Sequence, residues 1–458
     1  MALADIDTII VVIMENRSFD HMLGYLSLPG GGQMPVIGLQ ADQAWLDAHA
    51  NIHNGQIFRS HGLDPTVQAI ADPPHNFDTI STQLTTPAWG GGPMGGFVTT
   101  YAEQTKPVAT DLSLVMGYYD AEAVPTYDFF ARNFLTCDHW FAALPAGTQP
   151  NRLMAMAGYS SIFANGGFRV PHEYLVYDWL DDHHIDWCSY AWGDFPFFCL
   201  DWDRLPSILS SLTLSPGSGR FRRYSHFQTS WASNEAMPSV IFIEPEYSEG
   251  LPGNPNDDHP STGIAKGQAF LAQVYSDVIS NEERWAKTMM VVTYDEHGGF
   301  FDHVPPLAIP ATAGSHAFTT SGIRVPAFVI SPQVSPGRVF NRNLDHTSIL
   351  QLLADKITPA NGYSVAVNAR QGNVDRLANT LDPADPAPRT PIIPADLMAK
   401  IEADAAGAPA SPLVGASPDD PANARAFHHT ILKAQRDHPD LMNDPSWAGV
   451  QERMAGLS

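Results

Sequence analysis

"TIIVVIMEN", residues 8–16, carries six consecutive apolar residues, Ile9 to Met14, straight into a carboxylate and an amide with no turn-former between them. An apolar run of that length reads as a strand buried on both faces. Glu15 and Asn16 then stand where such a strand ends, and in open α/β sheets ligands sit outside the carboxyl ends of the strands. The residues that follow, Arg17 to His21 in "RSFDH", are expected to shape the turn and the next helix.

Similar strand-like runs recur at Ile185 to Trp192, Pro238 to Pro245, Thr288 to Tyr294 and Val325 to Ser331. Helical patterns lie around Val124 to Asn133, Gln149 to Gly158, Gly263 to Val278 and Asp345 to Lys356. Apolar strands alternating with amphipathic helices predict an α/β fold with a mostly parallel central sheet covered by helices on both faces. The expected division is 1–380 as the main domain with loop insertions and 381–458 as a Pro/Ala-rich segment plus a final helix packing on the core. Residues 382–420 are expected to run over the surface. The glycine-rich loops at Gly30 to Gly32 and Gly90 to Gly92 lack the strand–G-x-x-x-x-G-K frame of a phosphate-binding loop and read as flexible insertions.

Bulk composition narrows the function. The 458 residues are 44% hydrophobic and 10% aromatic, which describes a full core. Against 49 Asp+Glu stand 25 Lys+Arg, a formal charge of -24, so a basic nucleic-acid surface is excluded. A phosphate-bearing ligand then needs a local positive centre, and a metal ion is one. Cys137, Cys188 and Cys199 are too few and too widely spaced for a disulfide scaffold or a C-x-x-C zinc site; one bridge or three free thiols are both open. No apolar run reaches the ~18 residues of a membrane span. With the first strand starting within about ten residues, no signal peptide is expected, and the location is cytoplasmic, or secreted or periplasmic for a processed chain.

Three constellations carry chemistry. In "TYDEHGGFFDHV", residues 293–304, Asp295 and Glu296 close a second apolar strand with no cation beside them in sequence, followed by His297 and two glycines that permit a sharp turn. Glu15 from the other strand end would give three hard oxygen donors for one divalent ion; the alternative is a set of acids capping helices. In "LPAGTQPNRLMAMAG", residues 144–158, Thr148 precedes a helix with Pro150 in its first turn. It reads either as an N-cap or as a nucleophile beside helix N–H groups that favour phosphate. Arg152 is either a phosphate clamp or a surface charge. His75 in "DPPHNFD" and His259 in "NDDHPSTG" are candidate metal ligands, general acids or donors to phosphoryl oxygens. His183, His184, His428 and His429 read as structural, while His303 and His346 stay open. The aromatic stretch Tyr190 to Trp202 reads as core, with a cation cage as the alternative.

In that order, "MENRSFDHMLG", "PAGTQPNR", "NDDHP" and "TYDEHGGFFDHV" resemble the bacterial phospholipase C/acid phosphatase phosphoesterase family, which includes plant non-specific phospholipases C within the alkaline phosphatase superfamily. The likeness runs from Thr8 to about Lys356, including "GYYDAEAVPTYDFFARNFLTCDHWF". It implies an alkaline-phosphatase-like three-layer sandwich. It further implies one divalent metal ion held by Glu15, Asn16, Asp295 and Glu296, with Ca, Mg or Mn favoured over Zn by the oxygen donors. Thr148 would be the nucleophile, and His75 and His259, with Asn16, would surround the phosphoryl group. A further family histidine has only His226 as a candidate; His297 and Arg152 are secondary site residues. The implied substrate is a phosphate-ester small molecule or a phospholipid headgroup. Phospholipase C-type diester cleavage competes with acid phosphatase-type monoester hydrolysis, and both compete with a non-catalytic, metal-stabilised binding protein.

Overall fold

Thr8–Met14 forms a strand, β1, buried along its whole length. Each of its large apolar side chains contributes roughly 1.5–3 kcal/mol by leaving water. The computed structural model describes residues 3–67, 69–85, 93–104, 111–233, 235–248, 253–312, 316–381, 389–408 and 421–455. Seven further strands join β1 in one sheet: β2 Leu135–Cys137, β3 Trp187–Ala191, β4 Phe221–Arg223, β5 Val240–Glu244, β6 Thr288–Tyr294, β7 Ala327–Ile330 and β8 Arg338–Phe340. Their order is β8-β2-β7-β6-β1-β5-β3-β4, so β1 is interior, between β6 and β5. All pairings are parallel except those of β7, which runs antiparallel to both β6 and β2.

The register shows how the sheet is covered. Val11 lies opposite Phe242, and Val12 opposite Val292, so these two pairs occupy opposite faces. The principal helices are α1 Pro125–Asn133, α2 Thr148–Ala157, α3 Val176–Asp182, α4 Ala265–Ile279, α5 Thr347–Ile357, α6 Ala395–Gly407 and α7 Pro421–Asp437. On one face Phe242 meets Tyr177 of α3, centroids 5.3 Å apart. On the other, Phe328, which pairs with Val292, meets Tyr127 and Phe130 of α1 at 5.7 and 5.8 Å. α2 packs on α3 and α5, while α1 packs on α4 and α6, giving a helix layer on each face. The α/β sandwich expected from the pattern is present.

All five long strands and four helices fall on the runs read from sequence. The three additional strands, β2, β4 and β8, have three residues each, too short to show a period. The Pro/Ala-rich segment is not only surface coil: it contains α6, which buries Ile401 and packs on α4. Gly30 and Gly31 belong to a 3-10 turn, Pro29–Gly31, and Gly90 to Gly92 lie outside the described residues. Phe427 of α7 packs on Phe197 and Tyr247, and Trp202 Nε1 donates to Thr430 Oγ1 at 2.9 Å. All three cysteines are buried free thiols. Most of the 190–202 aromatics are core: Phe195, Phe197 and Phe198 are buried, while Trp192 is exposed. Among the described residues no helix is long and apolar enough to cross a membrane.

Candidate functional site

β1 and β6 end level, with Met14 opposite Tyr294, so Glu15 and Asp295 leave the sheet side by side. The ladder continues one step further, Asp295 N–H donating to Met14 O at 3.2 Å, while Glu15 N–H donates to Asp257 O at 2.8 Å. The turn that lacks a glycine is made by Asn16, with φ 64. Asparagine tolerates this left-handed conformation better than most residues. Gly298, at φ 63, is required here: a Cβ would stand 2.1 Å from Asn16 O. Its N–H donates to Glu296 Oε2 at 2.8 Å, which fixes that carboxylate.

The cation missing from the local sequence arrives from α2. Arg152 Nε donates to Asp295 Oδ2 and Nη2 to Glu15 Oε1, both at 3.1 Å, and Nη2 also reaches Met14 O at 3.3 Å. Its guanidinium lies over the rings of Phe197 and Tyr247, 5.2 and 5.4 Å from their centroids. Arg152 is therefore neither a surface charge nor an open phosphate clamp; it is a buried tie between the two strand ends. Burial raises the Asp295 carboxyl above its ordinary range, and Arg152 pulls it back.

Thr148 opens the same helix, four residues before Arg152, so the two side chains share a face. The loop before it is held by Asn151. Its Oδ1 accepts from Leu144 N–H at 2.9 Å, and its Nδ2 donates to Ala146 O at 2.7 Å and to Leu144 O and Gly147 O at 3.2 Å. Asn165 Oδ1 accepts from Gln149 N–H at 2.8 Å. Thr148 is fully buried, yet its Oγ1 has no hydrogen-bond partner among the described residues. An unpaired buried hydroxyl costs about 1–3 kcal/mol, which favours a ligand there over a simple N-cap.

The two loop histidines converge, ring centroids 6.0 Å apart. His75 Nδ1–H donates to Pro73 O at 2.7 Å, which leaves Nε2 to accept from Asn16 Nδ2 at 3.4 Å and to face Glu296 Oε1 at 3.7 Å. His259 Nδ1 donates to Pro260 O. Burial, with His75 adding to it, pushes the His259 ring down to about 3, which favours its neutral form. Arg17 ties this loop to the strand end: Nε donates to Asp258 O at 2.9 Å and Nη2 to Thr262 O at 3.2 Å, with Nη1 on His21 Nε2 at 3.1 Å.

His297 sits beside Glu296, Nδ1 3.1 Å from Oε2, but its Nε2 meets Gln83 Oε1 at 2.9 Å. It braces Glu296 from behind. His346, open in the sequence reading, receives Trp140 Nε1–H on Nδ1 at 3.2 Å and donates from Nε2 to Asp295 O at 2.6 Å. His303 belongs to a different group, with Asp20, Asp302 and Arg324. His226 lies against Gly217, at the β4 end of the sheet, and among the described residues no hydrogen bond, ion pair or ring contact joins it to these side chains. Asp72, Asn151 and His346 were not singled out as site residues by sequence reasoning. Asp72 lies three residues before His75, the one signal that could have found it.

The residues fit a divalent cation. Asn16 Oδ1 is buried without a hydrogen-bond partner among the described residues. Glu15 and Asp295 share one guanidinium and Glu296 adds a third buried carboxylate beside Asp295, an excess of negative charge that hard-oxygen coordination would neutralise. Asp72, His75 and His259 form an adjoining buried group whose donor atoms lie within 4.8 Å of one another. The groups Asp20–Asp302–His303 and His172–Asp201–Asp203 share that spacing, but Arg324 and Arg204 already pair with their carboxylates.

The chain is similar to several known proteins. Non-specific phospholipase C3 of Arabidopsis thaliana is 28% identical over 419 residues, covering 84% of this chain and 76% of that protein. Non-specific phospholipase C6 of the same plant is 32% identical over 363 residues, covering 73% of this chain and 63% of that protein. Among solved structures, a protein of the alkaline phosphatase superfamily from Vibrio parahaemolyticus superposes with a TM-score of 0.31 at 12% identity, over 65% of this chain and 72% of that one, too loosely to bear on function. The phosphoesterase family model matches residues 6–357, the span that holds both strand ends, the threonine helix and both histidine loops, and the chain belongs to the phosphoesterase family of ester-bond hydrolases.

Proposed function

We propose that this chain hydrolyses phosphate esters through a phosphothreonine intermediate on Thr148, and that its substrates are phosphodiesters of the phospholipase C type. The observation that carries the reading is the Thr148 hydroxyl: buried, without a hydrogen-bond partner among the described residues, and on the helix face that also delivers Arg152 to Glu15 and Asp295. The printed names of the relatives, non-specific phospholipases C, support the diester class.

A divalent ion held by Glu15, Asn16, Asp295 and Glu296 would supply positive charge to the phosphoryl oxygens and favour ionisation of the nearby hydroxyl. The chain's own groups do the rest. Asn151 and Asn165 fix the loop so that Thr148 is presented without reorganisation. The Thr148 Oγ–phosphorus bond forms as the bond to the ester's alkoxide breaks. A ring nitrogen of His259 or His75 takes the hydroxyl proton and passes it to the departing alkoxide, so no proton is gained or lost. Water then cleaves the phosphothreonine and restores the hydroxyl. Arg152, occupied by two carboxylates, acts by holding the strand ends in place.

The test is turnover of p-nitrophenyl phosphate, p-nitrophenyl phosphorylcholine and phosphatidylcholine after chelation and add-back of Ca, Mg, Mn or Zn. Thr148→Ala is expected to abolish turnover in a folded protein, and Thr148→Ser to retain part of it. Undiminished turnover in Thr148→Ala removes threonine from the role, and faster turnover of the monoester than of both diesters reassigns the substrate class.

A further inference from the structure

Four rings from three separate stretches meet beside this site. Phe77 contacts His316, Phe318 and Phe163 at centroid distances of 4.8, 5.5 and 5.7 Å, and His316 contacts Phe318 and Phe163 at 4.7 and 5.6 Å. Their burial is graded. Phe318 is buried, Phe77 half-buried, His316 exposed, and Phe163 39% exposed.

Their attachments place the cluster against both halves of the site. Phe318 packs with Leu144, Ala146 and Met154, the loop and helix that present Thr148. Phe163 lies two residues before Asn165, whose side chain accepts from Gln149 N–H next to Thr148. Phe77 lies two residues after His75 and opens a short helix capped by Asn76. The aromatic cluster therefore packs on the loop that presents Thr148, with Phe77 carried on the segment that also carries His75.

The charged and amide groups of the site suit only the phosphoryl end of an ester. Carbon attached to that phosphate must leave the polar cradle, and the aromatic cluster packed on the Thr148 loop offers an apolar surface beside it. We propose that Phe77, Phe163, His316 and Phe318 form a subsite for the apolar ester substituent of the substrate, an acylated glycerol in preference to bare glycerol. The proposal rests on the phosphoesterase reading above for its substrate, and on ring geometry for its location.

Two substrates with the same phosphocholine group separate the contributions: dihexanoylphosphatidylcholine, kept monomeric, and glycerophosphocholine. Phe163→Ser, at an exposed position, and Phe77→Ala are expected to lower kcat/KM for the dihexanoyl lipid by roughly tenfold while leaving that for glycerophosphocholine within about twofold. Calorimetric binding of dihexanoylglycerol, which needs no turnover, is expected to weaken in the same variants. Equal changes for both substrates, or for neither, overturn the subsite. Should the wild type turn over neither substrate, the catalytic reading fails separately. Phe163-dependent binding of dihexanoylglycerol would then still support the subsite, and absence of that binding in the wild type would overturn it.

Discussion

Replacing Arg152 with methionine tests the central electrostatic claim. The guanidinium is buried, donates to Asp295 and Glu15 at 3.1 Å, and reaches the Met14 carbonyl at 3.3 Å. Methionine fills much of the same volume but leaves two buried carboxylates without their cation. Removing one partner of a buried pair costs about 3–5 kcal/mol, and losing a cation shared by two acids belongs at the upper end. Asp295 can relieve part of the cost by taking up a proton, since its carboxyl already lies above the ordinary 3.8 and loses the group that pulls it down. A raised folded-state value gives stability that is present below 3.8 and lost as pH rises through the folded value. The deficit should therefore be larger at about pH 8 than at about pH 5. Urea midpoints followed by tryptophan fluorescence, in chelator, give both quantities. A variant within about 0.5 kcal/mol of wild type at the higher pH would refute the reasoning.

Three further outcomes are expected. Gly298→Ala forces a side chain at φ 63 to within 2.1 Å of Asn16 O, and should cost at least ~2 kcal/mol and most of the metal-dependent turnover. Gly372→Ala, where nothing lies within 4 Å, should be neutral in the same thermal-unfolding and kinetic assays. Burial holds His346 down to about 4 against an ordinary 6.5, so between those values the unfolded chain carries a proton that the folded one does not, and stability falls as pH drops through that window. His346→Gln should flatten the pH dependence of the urea midpoint there by the equivalent of about one proton, about 1.4 kcal/mol per pH unit; an unchanged slope would mean that His346 titrates normally.

Much of this arrangement was legible in the sequence because it depends on position within strands. Apolar runs that end in Glu15 and in Asp295 announce both a buried sheet and its working edge. What was hidden depends on helices and on backbone. All ten residues of α2 are buried, so it shows no polar face to mark Arg152 as inward-pointing. Asn151 works through carbonyl groups of its own loop, and His346 through the carbonyl of Asp295, partners that leave no trace in side-chain composition. Gly298 and Gly299 were legible as a turn, but not the close approach to Asn16 that makes the first of them obligatory.

Phe427 lies more than four hundred residues from Glu15 in sequence. Its ring nevertheless packs on Tyr247 and Phe197, the same two rings that lie against the Arg152 guanidinium. The last long helix is thus a layer of electrical insulation. By keeping water off the back of that cation it lowers the local dielectric, and attraction between charges scales inversely with the dielectric constant. A segment that supplies no chemistry thereby sets how strongly the two strand ends are held together.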